Sequence, residues 1–274
     1  MIDQMSERSD GLALDLLQPD MARRFGGLDR LFGLVAAERI RASHVVVVGI
    51  GGVGSWAAES LARSGVGQIT LIDLDHVAES NINRQVHAIE STVGVAKVQA
   101  MRERIGQINP YCQLTCIEEF VSPENWRKLL PLDVYAVIDA CDQAKAKLAM
   151  AVWALKGETL FVSVGAAGGK RMAHLVEIDD LSKVTHDPVL AQLRYRLRKQ
   201  YAAPSGGKKM GISCVYSKEA VQGPDASCEV NGDGSLNCHG YGSLVSVTAS
   251  FGHCAAGWVI SMLGSKNSQK HVII

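Results

Sequence analysis

The segment HVVVVGIGGVGSWAAESLAR, residues 44–63, constrains the fold more than any other part of the chain. Its run of valines predicts a buried strand, and the residues after the glycines have the spacing of a helix. Between the two, Gly49, Gly51 and Gly54 keep a G-x-G-x-x-G spacing. Such glycines let the backbone approach a phosphate, whose charge is favoured by the amino end of the helix. The segment therefore predicts a strand, a turn and a helix that bind a nucleotide.

Strands and helices alternate along most of the chain. Further apolar runs predict four more strands, at 68–75, 112–120, 134–142 and 159–169. Helical spacing predicts helices at 30–42, 97–110, 143–156 and 187–202. Near-continuous apolar strands separated by helices are typical of a parallel sheet covered on both faces. We therefore expect an α/β fold with a Rossmann-like, mostly parallel sheet.

Balanced charge and scattered cysteines exclude several classes of protein. The chain has 28 basic and 28 acidic residues, which excludes a globally basic nucleic-acid binder but not a local basic patch. Its seven cysteines include no C-x-x-C pair, which argues against a paired-cysteine zinc site and a disulfide framework. The amino-terminal stretch MIDQMSERSDG is polar and lacks an apolar signal segment, so we expect a cytoplasmic protein.

Residues 243–263 could be taken for a membrane span. These 21 largely uncharged residues are long enough to cross a bilayer. Serine, threonine, glycine and histidine residues make the run only weakly apolar, however. We expect a buried helix of the fold, although a hydropathy scale could score the segment as a transmembrane span.

Charged residues after the predicted strands indicate which nucleotide binds. Asp73 lies 24 residues beyond Gly49, at the end of the next strand, where a carboxylate can accept hydrogen bonds from ribose hydroxyls. Arg84 and Lys97 add two cations, which suit a triphosphate better than a pyrophosphate already held by backbone amides. Asp142 ends the fourth strand, where a carboxylate could hold Mg²⁺. The pattern favours ATP over a dinucleotide.

Six motifs occur in a fixed order over residues 44–142: GxGGVGS, LIDxD, SNxNRQ, GxxK, INP and VIDxxD. In this order they resemble the ATP-binding half of the ubiquitin-activating-type adenylating enzymes, which include the activators of sulfur-carrier proteins. One branch, the tRNA threonylcarbamoyladenosine dehydratases, is similar over nearly the whole chain. That closer resemblance is carried by RRFGG at 23–27, RLFG at 30–33, NRQVHA at 83–88, GAAGG at 165–169, SCVYSKEA at 213–220 and CHGYGS at 238–243.

The resemblance implies roles for these residues. Asp73 would bind the ribose, and Asp142 would bind Mg²⁺. The implied nucleotide contacts are Gly49, Gly51, Gly52, Gly54, Asp73, Asp75, Asn81, Asn83, Arg84, Gln85, Lys97, Asp139, Asp142 and Arg24. The implied catalytic residues are Asp142, Arg84, Lys97 and Cys238.

The resemblance also implies an organisation and partners. Residues 1–274 would form one adenylation domain, with a nucleotide-binding core at 44–170 and a part at 171–274 that binds tRNA and supports a homodimer. Arg24 or Arg30 would reach into the partner's site. A Na⁺ or K⁺ ion could have a structural role, and a cysteine desulfurase or sulfur-acceptor system could be a partner. Neither NAD nor zinc is expected.

The implied reaction is an ATP-dependent dehydration at position 37 of certain tRNAs. The threonine carboxylate of threonylcarbamoyladenosine would attack the α-phosphate of ATP, and an internal nucleophile would then close a ring with loss of AMP. Activation of a ubiquitin-like or sulfur-carrier protein is the alternative, and the missing C-x-x-C pairs disfavour it. An NAD-dependent oxidoreductase and a non-catalytic scaffold are two further hypotheses, and the predicted phosphate cations argue against both.

Cys238 has two interpretations. In its Gly- and Asn-rich loop the thiol could form a thioester with the activated carboxylate before ring closure. The other interpretation is a small structural residue, since ring closure from the adenylate needs no enzyme nucleophile. Cys214 and Cys228 are weaker candidates. The other cysteines lie in apolar patterns and are expected in the core: Cys112, Cys116, Cys141 and Cys254.

A basic stretch is the candidate for RNA contact. Between positions 194 and 209 there are six cations and no acid, in a chain of zero net charge. Such a patch fits phosphate contacts that position an RNA, and a solvated helix face is the other interpretation. The candidates are Arg194, Arg196, Arg198, Lys199, Lys208 and Lys209, with Lys170 and Arg171 as an extension.

Overall fold

The computed structural model describes residues 19–225, 227 and 241–265. In chain order the strands are β1 (His44–Val48), β2 (Gln68–Ile72), β3 (Gln113–Ile117), β4 (Ala136–Asp139), β5 (Leu160–Val164), β6 (Val176–Asp180) and β7 (Ser213–Ser217). The helices are α1 (Met21–Phe32), α2 (Leu34–Ala42), α3 (Gly54–Arg63), α4 (Lys97–Ile108), α5 (Trp126–Leu129), α6 (Ala144–Ala154), α7 (Pro188–Tyr201) and α8 (Val245–Gly264). Short 3₁₀ helices lie at Glu79–Asn81, Glu90–Thr92 and Ala173–Leu175.

The seven strands form one sheet in the order β3-β2-β1-β4-β5-β7-β6. All neighbouring pairs are parallel except the last, because β6 runs antiparallel to β7 at the edge. The chain order reverses at the pairing of β1 with β4. In open α/β sheets, ligands bind at such a switch point, beyond the carboxyl ends of the strands. The prediction of a mostly parallel α/β sheet is confirmed.

Two apolar cores lie on opposite faces of the sheet. Val45 and Val47 belong to one core, and Val46 and Val48 belong to the other, because successive side chains of a strand point to opposite faces. Helices α2, α3, α4 and α8 cover the first face, and α5, α6 and α7 cover the second. The unbroken valine run of β1 is what a strand covered on both faces requires.

The structure differs from the sequence expectations at one sheet edge and one helix boundary. We predicted no strand beyond residue 169, yet β6 and β7 extend the sheet. The β6 sequence, VEIDD, is only partly buried and carries three acids, so it lacks the apolar run of a central strand. The helix predicted at 30–42 is two helices, because Gly33 between them has a φ of 82°, a region that favours glycine.

Helix α8 packs inside the fold, across α3. Phe251, Ala255 and Val259 are buried in the first core. At Gly252 the two helices are so close that an added Cβ would lie 2.5 Å from the carbonyl oxygen of Val53. The helix has the length and hydropathy of a membrane span, and 44% of its apolar window is buried in the protein. One face of the helix therefore contributes to the core.

Candidate nucleotide-binding site

The glycine turn joins β1 to α3 at the switch point and leaves no room for side chains at two positions. Gly49 has a φ of 84°, and an added Cβ would lie 2.9 Å from the backbone of Ala140, just after β4. An added Cβ at Gly54 would overlap the carbonyl oxygen of Gly49. No side chain caps the start of α3, and the amino end of a helix favours an anion.

Asp73 follows β2, and its carboxylate is held by two backbone amides. The Ile50 N–H donates to Oδ2 at 2.6 Å, and the Asp75 N–H donates to Oδ1 at 2.8 Å. Burial raises the pKa of Asp73, and the charge of Lys97 and the two amides offset part of that rise. The bonds fix the carboxylate beside the glycine turn, with lone pairs remaining for hydroxyl donors.

Lys97 is the first residue of α4 and is buried, with its ammonium group in the pocket wall. Its Nζ donates to Oδ2 of Asp75 at 2.7 Å, and its backbone N–H donates to the Asp75 carbonyl at 2.9 Å. The Lys97 side chain is 8% exposed, whereas that of Asp75 is 52% exposed. Because Asp75 can turn towards solvent, the buried ammonium group can exchange this carboxylate for an anionic ligand.

Arg84 lies against the glycine turn and is oriented by its own loop. Its Nη1 donates to the Ser80 carbonyl at 2.7 Å and to Oδ1 of Asn83 at 2.9 Å. Its stem packs on Gly52, where an added Cβ would lie 3.3 Å from Cγ and Cδ of Arg84. Within the described residues no hydrogen bond engages Nε or Nη2, so these donors remain available to a phosphate.

The pocket wall also contains a buried polar atom without a protein partner. Gln85 lines the pocket, and its Oε1 makes no hydrogen bond to any described residue. Leaving a buried polar atom unpaired costs about 1–3 kcal/mol. The unpaired oxygen therefore fits a site that is completed by a polar ligand.

The two aspartates of the VIDxxD motif have different environments. Asp142 is exposed and lines the pocket. Asp139 is fully buried, and its Oδ2 accepts hydrogen bonds from Lys147 Nζ at 2.8 Å and from Ser163 Oγ at 2.7 Å. Burial alone would lower the pKa of Lys147, but Asp139 raises it above its ordinary value. Asp139 does not line the pocket, so its expected nucleotide contact is corrected to a buried ion pair beside the pocket wall.

Most of the predicted nucleotide contacts line one pocket: Gly49, Gly51, Gly52, Asp73, Asp75, Asn81, Arg84, Gln85, Lys97 and Asp142. Besides Asp139, three do not. Gly54 supports the turn, and Asn83 orients Arg84 and donates to the Ser243 carbonyl at 3.1 Å. Nη1 of Arg24 donates to the Ile108 carbonyl at 2.8 Å, so within this chain it caps the end of α4.

Several pocket residues were not predicted. Glu119, Phe120 and Val121 come from the segment after β3, and Gly165–Gly168 come from the segment after β5. Their position just beyond parallel strands was the signal that could have identified them. Thr248 of α8 also lines the pocket, and no local sequence signal indicates it.

Two side chains that were expected to contact RNA, those of Lys170 and Arg194, bind backbone carbonyls of the protein instead. The Lys170 ammonium group is buried and donates to the carbonyls of His186, Ser217 and Glu219. Nη1 of Arg194 donates to two carbonyl groups, those of Leu181 and Val184. Both cations satisfy backbone oxygens, which corrects the expectation that they contact RNA.

Burial raises the pKa of the five described cysteines, Cys112, Cys116, Cys141, Cys214 and Cys254. Cys214 is buried, and burial raises its pKa well above the ordinary value. Burial likewise raises the pKa of Cys112 to about 12 and increases that of Cys254. A raised pKa keeps a thiol neutral and weakly nucleophilic. Cys228 and Cys238 lie outside the described residues.

The pocket carboxylates can be compared with the ligands that Mg²⁺ uses in nucleotide sites. Among the described residues no group of three or more His, Cys, Asp or Glu side chains could hold a metal ion. In nucleotide sites Mg²⁺ uses one or two carboxylates together with phosphate oxygens and waters. Asp142, an exposed carboxylate in the pocket wall, fits that arrangement.

The sheet order, the glycine turn and the pocket at the switch point, which is lined by both acids and cations, define a nucleotide-binding protein with an adenylation fold. Comparison with protein families agrees, since the model of the ThiF family matches residues 27–272. The chain belongs to the ThiF family.

Within the ThiF family, the chain is similar along nearly its whole length to a group of enzymes with one name. The tRNA threonylcarbamoyladenosine dehydratase of Escherichia coli is 39% identical over 257 residues, which cover 90% of this chain and 96% of the relative. The dehydratase of Haemophilus influenzae is 40% identical over 248 residues, covering 90% and 95%. The E. coli enzyme solved in complex with ATP has a TM-score of 0.82 and 39% identity, over 91% of this chain and 97% of that chain.

Similarity to adenylyltransferases covers less of the chain. The adenylyltransferase and sulfurtransferase MOCS3 of Drosophila willistoni is 33% identical over 150 residues, which cover 54% of this chain and 32% of that protein. The molybdopterin-synthase adenylyltransferase of Salmonella typhimurium is 42% identical over 86 residues. Those residues cover 31% of this chain and 34% of that protein.

Proposed function

We propose that this protein is an ATP-dependent enzyme that dehydrates threonylcarbamoyladenosine at position 37 of tRNA to a ring. The observation that carries the proposal is the convergence of Asp73, Arg84, Lys97 and Asp142 on one pocket. This pocket lies in a chain that aligns along nearly its whole length with dehydratases of that name. The E. coli relative has been solved with ATP and with AMP, the nucleotide consumed and the nucleotide released by such a reaction.

ATP would lie across the switch point. The glycine turn and the start of α3 hold the phosphates, Asp73 accepts the ribose hydroxyls, and Arg84 and Lys97 neutralise phosphate charge. To do so, the Lys97 ammonium group exchanges Asp75 for a phosphate oxygen. The adenine would pack on the apolar part of the wall, which is formed by Val48, Ile72, Phe120, Val121 and Ala146.

The reaction balances in two steps. A carboxylate oxygen of the threonyl group attacks the α-phosphorus of ATP, and the bond to the β-phosphate oxygen breaks, giving an acyl-adenylate and pyrophosphate. An internal nucleophile of the same side chain then attacks the acyl carbon, loses its proton and expels AMP. Arg84 and Lys97 stabilise charge that develops on the phosphates, which is the main contribution a protein makes to phosphoryl-group chemistry.

Asp142 is the residue that would hold a magnesium ion. Mg²⁺ bound with ATP supplies further neutralisation of phosphate charge. The second step needs no enzyme nucleophile, because the reacting groups belong to one side chain. A thioester at Cys238 therefore stays a prediction.

We infer a homodimer formed through the amino-terminal helices. Leu31, Leu34 and Val35 are 77%, 68% and 67% exposed, and such clustered apolar side chains favour a protein contact. Arg30 lies beside them, whereas Arg24 caps α4, so Arg30 is the better candidate to reach the partner's site. Sedimentation equilibrium tests the inference, and a monomer at micromolar concentration would contradict it. Because its substrate is tRNA, we place the enzyme in the cytoplasm.

The deciding experiment supplies tRNA that carries threonylcarbamoyladenosine, together with ATP and Mg²⁺. We expect the nucleoside to lose the mass of one water, with one AMP released per nucleoside. Asp142→Asn should lower turnover about 100-fold or more, the scale for removing one group that stabilises developing charge. Glu103→Gln, a matched change at an exposed acid on α4 outside the pocket, should leave turnover unchanged.

Two results would count against the proposal. Full turnover by Asp142→Asn would remove the role of this carboxylate. An unchanged nucleoside, combined with ATP–pyrophosphate exchange driven by a carrier protein ending in Gly-Gly, would transfer the assignment to protein activation. In that case the short similarity to the molybdopterin-synthase adenylyltransferase would be the informative one.

A further inference from the structure

Helix α7 begins at the nucleotide pocket and is fixed to it. Asp187 caps the helix, since its Oδ1 accepts the Leu190 N–H at 2.9 Å. Its Oδ2 accepts the N–H of Ala166, a pocket residue, at 2.8 Å. Val189 in the first turn lines the pocket. With 14 residues and a rise of 1.5 Å per residue, α7 carries its last turn about 20 Å from the pocket.

Positive charge is concentrated along α7 and the loop after it. No acidic residue occurs in the sequence between Asp187 and Glu219, although the chain as a whole is neutral. Some of the cations in this stretch have partners: Arg194 is bound to carbonyls, and Lys218 pairs with Glu177 at 2.7 Å. Lys199 at the end of α7, and Lys208 and Lys209 in the loop, are exposed.

The loop that carries two of these lysines is held in place. Nε of Arg198 donates to the Pro204 carbonyl at 3.2 Å, which ties the loop to the end of α7. At the other end, the Asp180 carboxylate accepts the N–H groups of Met210 and Gly211 at 2.9 and 2.7 Å. The Asp180 carboxylate is therefore occupied by backbone amides.

Exposed aromatic rings alternate with the lysines. Tyr195 is 60% exposed and Tyr201 is 49% exposed. Nζ of Lys199 lies 5.6 Å from the centre of the Tyr195 ring. Proteins bind single-stranded nucleic acid with two kinds of side chain together. Cations contact the phosphate backbone of the nucleic acid, and its bases stack on aromatic rings.

We propose that Tyr195, Lys199, Tyr201, Lys208 and Lys209 form a docking surface for the substrate tRNA. The lysines bind backbone phosphates near the modified position, and an unpaired base stacks on Tyr195. This inference rests on the proposed function, because the nucleoside that enters the pocket determines which RNA lies along α7. The docking surface is too far from the pocket to take part in adenylation, so its role is to position the RNA.

The test measures binding of tRNA bearing threonylcarbamoyladenosine across a salt series. The triple variant Lys199→Ala/Lys208→Ala/Lys209→Ala should weaken binding about tenfold or more. It should also reduce the slope of log K against log salt by roughly 2–3 units, at about 0.7–0.9 per lost phosphate contact. Tyr195→Ala should weaken binding about tenfold, while Tyr195→Phe, which keeps the ring, should bind like wild type.

A triple variant of exposed cations elsewhere, Arg102→Ala/Arg127→Ala/Lys128→Ala, is the matched control and should bind tRNA normally. Thermal unfolding verifies that all variants are folded. Wild-type affinity and salt slope in the α7 triple variant would overturn the docking surface, and so would an equal loss in the control. If wild type binds tRNA through this surface but leaves the nucleoside unchanged, the proposed reaction fails and the docking surface stands.

Discussion

His87 should make the stability of the protein depend on pH between about 4 and 6.5. The side chain is 2% exposed, and neither ring nitrogen has a hydrogen-bond partner among the described residues. The pKa of His87 is lowered from 6.5 to about 4. Burial is the largest cause, and the nearby charges of Lys97 and Arg104 contribute to the same decrease. The folded protein therefore holds His87 neutral at neutral pH.

The sign follows from counting protons. Below pH 6.5 the unfolded chain protonates this histidine, whereas the folded protein does so only near pH 4, so the unfolded state binds more protons in this interval. Stability is fully present above pH 6.5 and is lost as the pH falls towards 4. A shift of about 2.5 pKa units corresponds to about 3 kcal/mol in total, of which about 2 kcal/mol is lost between pH 7.5 and pH 5.

Urea unfolding at fixed protein concentration, followed by tryptophan fluorescence at pH 7.5 and pH 5, measures this loss. Other groups also titrate, so the comparison is with His87→Leu, which removes the titrating ring and two unpaired buried nitrogens. The variant should lose about 2 kcal/mol less than wild type over this interval. His174→Leu, at an exposed position, should follow wild type. Equal losses in wild type and His87→Leu would refute the reasoning.

Two further predictions concern packing around the site. Gly54→Ala should destabilise the protein by about 1–3 kcal/mol in urea unfolding, because the new methyl group overlaps the Gly49 carbonyl. In Gly51→Ala the methyl group meets no atom, so this variant should be as stable as wild type. Equal stability of the two variants would contradict the packing argument. Lys147→Met should cost about 3–5 kcal/mol because it leaves Asp139 charged and buried, and adding Asp139→Asn should recover part of the loss. Failure of the double variant to recover any stability would show that the ion pair is not the cause.

The central strands could be predicted from the sequence because both of their faces are buried. The valines of β1 and the apolar residues of β2 and β4 leave one interpretation for each segment. The edge strand β6 could not be predicted in the same way, since Glu177, Asp179 and Asp180 interrupt its apolar residues. Its strand character comes from pairing with β7, a contact that no local pattern records.

Pocket residues were predictable where they closely follow a strand. Asp73 comes directly after β2 and Asp142 three residues after β4, and both line the pocket. Asp139 could not be assigned correctly, because its role depends on Lys147 of α6 and Ser163 of β5. Helix α6 reads AKAKLAMAVWA, and its sequence does not tell which of its two lysines is buried.

The ATP pocket and the docking surface on α7 depend on different features of the fold. Segments after β1, β2, β3, β4 and β5 all reach one pocket although they are far apart in the chain, because parallel strands end at the same edge. The docking surface depends instead on which face α7 leaves exposed, and that face lies up to about 20 Å away along the helix. Sites this far apart without shared partners act additively. We therefore combine Asp142→Asn with the three lysine changes on the docking surface and measure turnover at low tRNA concentration. The loss of turnover should equal the product of the two separate losses. A smaller combined loss would show that the docking surface and the ATP pocket are coupled.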